Sequence, residues 1–80
     1  MFFTYILYSS SIQKYYVGHT DNLERRLTEH NSGKTNYTSR GCPWVLLYRE
    51  ERSNRSEAMK LESRIKKRGI GRYLKYLGVA

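Results

Sequence analysis

The sequence holds one cysteine, one proline and seven acidic residues in a chain of 80. Each scarcity excludes something. Cys42 has no partner for an internal disulfide, and no Cys/His cluster has zinc-ligand spacing, so the usual staples of a very small domain are missing. Beside Pro43 in a loop-like stretch, Cys42 reads as a packing residue rather than a nucleophile, and a lone thiol suits a reducing compartment. Long apolar runs are also lacking. The stretch from Phe2 to Tyr8 is too short to span a bilayer, and no cation precedes Lys14 to make a signal-peptide start. A cytoplasmic protein with no membrane partner, folded as a single domain over 1–80, is the expectation.

The shortage of acids is uneven. Residues 1–51 carry six Lys/Arg against five Asp/Glu, a net of +1, whereas residues 52–80 carry nine against two, a net of +7. A basic segment of that density is a footprint for phosphates, and it points to nucleic acid as the partner, with an anionic membrane surface as the rival.

Coarse structure follows from pattern. Residues 3–8 (Phe-Thr-Tyr-Ile-Leu-Tyr) are β-branched and aromatic and predict a strand. Residues 14–18 predict a second, paired with the first as a hairpin that sets Tyr5 opposite or nearly opposite Tyr16. Asp21 and Glu24 have capping-box spacing for a helix that Gly33 can stop. The segment from Lys34 to Pro43 reads as an ordered loop or short irregular helix, and residues 44–48 as a third strand. Asn54 with Glu57 starts a second helix reaching Arg68, Gly69 and Gly71 break it, and residues 72–77 suggest a last short helix. The order ββα–β–αα gives an α+β fold, a small antiparallel sheet with helices packed against it.

Certain polar residues fall where apolar ones belong. At about 100° per residue, the first helix directs Leu23, Arg26, Leu27 and His30 at the sheet, while Arg25 and Glu29 lie on the far side and can pair in water. The second helix directs Ala58, Leu61, Glu62 and Ile65 inward, with Met59 at the border. A carboxylate so placed must be paired, protonated or bound to metal; a Glu62–Arg26 ion pair is one solution. Together with the hairpin tyrosines these residues supply what phosphodiester hydrolysis needs. A carboxylate can hold Mg²⁺, an arginine can meet charge on phosphate, and a phenol or imidazole can take a proton from water.

At these residues the chain resembles the GIY-YIG nuclease superfamily, and closely its small, single-domain bacterial branch. The first motif stands as Tyr5-Ile6-Leu7 and the second as Tyr16-Val17-Gly18. Thr20 to Leu27, Glu29-His30-Asn31, Glu57-Ala58 and Glu62 continue the match, which covers nearly the whole chain. The resemblance implies a three-stranded antiparallel sheet flanked by helices and metal-dependent cleavage of nucleic-acid strands. It makes Tyr16 the general base and Tyr5 the group that positions water or phosphate. It sets Arg26 on the scissile phosphate, His30 in proton transfer or phosphate binding, and Glu62 on the metal, Mg²⁺ or Mn²⁺. Helical phase and resemblance thus single out the same positions.

The chain departs from the family pattern in three places. No Gly precedes Thr4-Tyr5, His19 stands where some relatives carry a lysine that helps activate the base, and no Asn follows Asn54. His19, Lys66, Lys67 and Arg68 are the expected nucleic-acid contacts. The expected function is a metal-dependent endonuclease acting on nucleic acid, most readily DNA, in repair, recombination or processing. The alternative is a non-catalytic binding module; a larger repair complex or a homodimer is the possible assembly.

Overall fold

The computed structural model describes residues 1–33 and 38–79. Three strands, β1 (Phe2–Ser9), β2 (Lys14–Thr20) and β3 (Val45–Arg52), form one antiparallel sheet in the order β2-β1-β3. The helices are α1 (Leu23–Asn31), α2 (Arg55–Arg68) and α3 (Ile70–Leu77), with a single 3-10 turn over Ser39–Gly41.

β1 is central because it is apolar on both sides. Its residues 4–7 are all buried, the signature of a strand covered on two faces. On one face Ile6 and Val17 pack with Leu61, Ile65, Tyr73 and Leu74 from α2 and α3. On the other, Tyr5 and Leu7 pack with Leu23 of α1 and with Trp44. Thr4 is buried too, and its hydroxyl donates to the Ala58 carbonyl at 2.8 Å, which satisfies it where α2 crosses the sheet.

Several sequence expectations shift. β2 runs on to Thr20, whose hydroxyl both accepts from the Asn22 backbone N–H and donates to the Asn22 carbonyl. That holds Asn22 extended, so Asn22 rather than Asp21 caps α1, accepting from the Arg25 N–H at 3.0 Å. Asp21 instead pairs with Arg25 one turn on. β3 extends through the charged residues to Arg52, with Arg49 and Glu51 facing solvent on the sheet's outer edge. A bulge at Leu47 moves the register, so Leu46 joins the Tyr5 side and Tyr48 the Ile6 side. Asn54 caps α2 as its spacing predicts. Gly69, at φ +97°, turns the chain directly into α3, which begins at Ile70 and therefore includes Gly71. Of the segment from Lys34 to Pro43, residues 34–37 lie outside the described residues.

Candidate active site

The site is organised by a pairing that the hairpin register sets. Tyr5 lies opposite Gly18, and Tyr16 lies opposite Leu7, so the two tyrosines are diagonal neighbours on one face rather than directly opposed. A Cβ at Gly18 would stand 2.8 Å from the Tyr5 hydroxyl and 3.1 Å from the Tyr16 ring. The glycine is what lets both phenols lie over the β2 backbone.

α1 closes onto this face. Tyr5 is 1% exposed, and its hydroxyl lies 2.9 Å from Nε2 of His30. The other ring nitrogen, Nδ1, lies 2.8 Å from the hydroxyl of Thr38, also fully buried. His30 thus sits between two hydroxyls, able to donate to one and accept from the other. Burial and then the Arg26 charge pull its pKa down to about 4, so the imidazole is neutral. Burial pushes the Tyr5 phenol up to about 12, against the pull of Arg26. Arg26, 33% exposed, bonds Glu29 at 3.0 Å, and its charge acts on the Tyr5 phenol and on His30. Burial acts against its charge, but Glu29 and Tyr5 hold the guanidinium above its ordinary value. Tyr16 is half-buried, its ring 4.9 Å from His30 and 6.2 Å from Trp44.

Glu62 comes from the other face of the sheet, where α2 crosses β2. One oxygen takes Nδ1 of His19 at 2.6 Å and the other takes Nζ of Lys66 at 2.8 Å. Burial favours its neutral form, yet the bonds to His19 and Lys66 prevail and hold its carboxyl below the usual range. Glu62 is therefore ionised, and its charge reaches Tyr5. The Glu62–Arg26 pair does not form; each has nearer partners on its own side.

Tyr5, Tyr16 and His30 are thus brought into direct contact, with Arg26 and Glu62 joined to Tyr5 electrostatically. His19 spends one ring nitrogen on Glu62. The three consecutive cations diverge. Lys66 turns to Glu62, Lys67 lines a groove on the outer side of α2 with Arg55 and Arg64, and Arg68 covers the ring of Tyr76. Arg25 is 61% exposed and held by Asp21 and Glu29, as surface phase requires.

Sequence reasoning missed the supports. Thr38 fixes His30, and its carbonyl also accepts from the Trp44 indole at 2.7 Å. Asn31 clips the end of α1 to the residue just before β3, donating to the Trp44 carbonyl at 3.1 Å and accepting from the Trp44 N–H. Cys42 packs as expected, and its thiol also donates to the His30 carbonyl. Only Asn31 left a trace, since it follows His30 within a motif.

The donor set decides which metal would fit. Among the described residues no three His, Cys, Asp or Glu side chains gather, so a closed zinc-type cage is not available. One ionised, partly exposed carboxylate suits a hard cation that keeps its waters and takes substrate oxygens. Such a cation must displace His19 or Lys66 from one oxygen of Glu62.

The family model described as the GIY-YIG catalytic domain matches residues 1–69, a span that takes in the two strand tyrosines, the helical arginine and the carboxylate. The chain belongs to the GIY-YIG nuclease superfamily, in its small UPF0213 branch. It is 40% identical over 80 residues to a UPF0213 protein of Lactiplantibacillus plantarum, covering 95% of this chain and 77% of that one. It is 48% identical over 52 residues to one from Staphylococcus haemolyticus and 47% over 55 to one from Oceanobacillus iheyensis. Those matches take in 64% and 68% of this chain but only 63% and 64% of the relatives' own length. The solution NMR structure of a UPF0213 protein from Bacillus halodurans superposes with a TM-score of 0.59 at 27% identity, over 99% of this chain and 85% of that one. Nucleases of this superfamily typically use divalent metals. No helix among the described residues is long and apolar enough to cross a membrane.

Proposed function

We propose that this protein is a metal-dependent endonuclease that hydrolyses phosphodiester bonds, with DNA as its substrate. The observation that carries the reading is the packing of Tyr5 and Tyr16 against a buried, neutral His30 on one face of the sheet, with the Arg26 charge acting on Tyr5 and His30. A fold maintained only for binding has no need to bury a hydroxyl–imidazole–hydroxyl chain against a guanidinium. The roles follow from exposure. Tyr5 is sealed, and its phenol is pushed up to about 12, so it orients rather than accepts protons. Tyr16, half-buried on the edge strand, is the base. Having first given its own proton to solvent, its phenol oxygen takes the proton of an attacking water as the water oxygen bonds to phosphorus. The bond to the leaving sugar oxygen then breaks, and that oxygen is protonated from solvent. Arg26 meets the charge gathering on the phosphate oxygens with its planar fork. His30 keeps Tyr5 in place and is itself held by the Thr38 hydroxyl. Bound at Glu62, Mg²⁺ or Mn²⁺ would supply charge stabilisation worth several kcal/mol.

The test is incubation with end-labelled duplex, flap, junction and single-stranded DNA in Mg²⁺, Mn²⁺ or EDTA. Cleavage of at least one substrate in metal, absent in EDTA and in Tyr16→Phe, is expected. If wild type and Tyr16→Phe are equally inert on every substrate while both bind DNA, the binding-module reading replaces this one.

A further inference from the structure

The corner where α2 meets α3 has a chemistry that the hydrolytic site does not use. Beyond Glu62 the chain has no acidic side chain, and Arg68, Arg72 and Lys75 line one shallow groove with Tyr76. None of these three cations has a salt bridge among the described residues. Tyr76 is 69% exposed, and the Arg68 guanidinium lies over its ring at 4.4 Å. One face of the ring is thus backed by a cation, and the high exposure leaves the other open.

Exposure of an aromatic and basic helix would also suit a lipid surface, but most of α3's apolar face is already used, leaving Leu77, 36% exposed at the helix end, and Val79 just beyond it. Ile70, Tyr73 and Leu74 are consumed in the core beneath α2. What α3 turns outward around the groove is Arg72, Lys75 and the phenol of Tyr76. A planar ring among unpaired cations matches a nucleobase flanked by phosphates. Stacking on an aromatic face is indifferent to sequence, and arginine adds its own planar attraction. Bases within a duplex are already stacked and cannot reach such a ring.

The corner also has a fixed relation to the cleavage site. Gly71 of α3 comes up to Tyr15, a Cβ there standing 3.8 Å from its ring, and Tyr15 precedes Tyr16 on the same edge strand. Groove and site therefore flank β2, one on each side.

We infer that the α2–α3 corner binds a single-stranded segment of nucleic acid, one base stacked on Tyr76 and its neighbouring phosphates held by Arg72 and Lys75. The inference deepens the proposed function by giving the substrate a single-stranded flank, as in a flap or branch. Its test avoids catalysis altogether. Fluorescence anisotropy in EDTA would compare a labelled oligothymidylate, a blunt duplex of equal length, an abasic oligonucleotide, and anionic vesicles, using wild type, Tyr76→Ala and Arg72→Ala. Tyr76→Ala should weaken oligothymidylate binding about tenfold, as expected for one lost base stack, and leave the abasic strand unchanged. Arg72→Ala should weaken both. Equal oligothymidylate affinity for wild type and Tyr76→Ala overturns the inference, as does a Tyr76-dependent preference for vesicles. Tyr76 is largely exposed, so its removal spares the core, and circular dichroism checks that. Since no metal is present, the result stands whether or not Tyr16 and Glu62 cleave anything.

Discussion

His30 joins stability to pH. Its pKa is lowered in the fold, so the unfolded chain binds a proton more readily in the window between about 6.5 and about 4. Stability from the neutral imidazole is fully present above the unfolded value and is lost as pH falls toward the folded one. The loss across that window should be on the order of 3 kcal/mol, seen as a falling melting temperature between pH 7 and 4. His30→Gln should melt lower at pH 7 but with a flatter profile. An unchanged slope in that variant would mean another group titrates.

Glu62 makes the second residue-scale prediction. Its partners reach solvent, with His19 22% and Lys66 58% exposed, so neutralising the carboxylate strands no buried charge. Glu62→Gln should stay folded and lose less than about 1 kcal/mol, the scale of exposed ion pairs, whereas a buried pair would cost about 3–5. Cleavage in Mg²⁺ should disappear. A variant that unfolds would show the carboxylate to be a structural support and would sink its role at the metal.

At the scale of elements, α1 and β2 each carry a prediction about phase. Arg25 and Arg26 are chain neighbours whose directions on α1 differ by about 100°, the one paired with Asp21 in water and the other turned so that its charge reaches Tyr5 and His30. Arg25→Ala should cleave like wild type, and Arg26→Ala should lose at least about a hundredfold. Arg26→Lys should fall between them, since an ammonium lacks the planar fork. Equal cleavage by the two alanine variants would remove Arg26 from the site. In β2, Gly18→Ala would drive a methyl into the Tyr5 hydroxyl, which cannot retreat because His30 holds it. Overpacking of this kind costs about 1–3 kcal/mol, and denaturant melts should show it.

These elements also show what sequence could tell. Helical phase separated Arg26 from Arg25 and placed Glu62 and His30 inward, because a period of 3.6 is a local property. The order of the strands was not local, and neither were the partners of Glu62. His19 lies 43 positions away and meets it only once α2 crosses β2. Thr38 reaches His30 by tertiary packing alone, and one threonine among polar neighbours gives no periodic signal. The one-residue error at the α1 cap came from the Thr20 hydroxyl, whose two hydrogen bonds with the Asn22 backbone, one accepted and one donated, hold Asn22 extended.

For the whole molecule, the net charge of +8 is unevenly mounted. Lys66 is committed to Glu62 and Lys60 to Glu57, but Arg55, Arg64 and Lys67 on the outer side of α2 and the cations of the α2–α3 corner have no salt bridge among the described residues. With about four phosphate contacts, log K against log salt should fall with a slope near −4. Arg72→Ala with Lys75→Ala should flatten it by about two contacts' worth. A slope near zero for the wild type would mean that the cations keep the protein soluble and do no more.

The central position of β1 has a consequence for synthesis. β1 leaves the ribosome before either of the strands it needs on its two edges, and they arrive far apart in time. β2 follows within a short hairpin, but β3 is complete only when Arg52 has emerged. Until then the nascent hairpin exposes one unpaired edge of its most apolar strand, a template for pairing with any other extended chain. The charged end of β3 closes that edge and turns Arg49 and Glu51 to the outside. A ribosome stalled before β3 would therefore hold a strand without its cover, and aggregation of stalled chains, rather than of the finished protein, is the hazard built into this strand order.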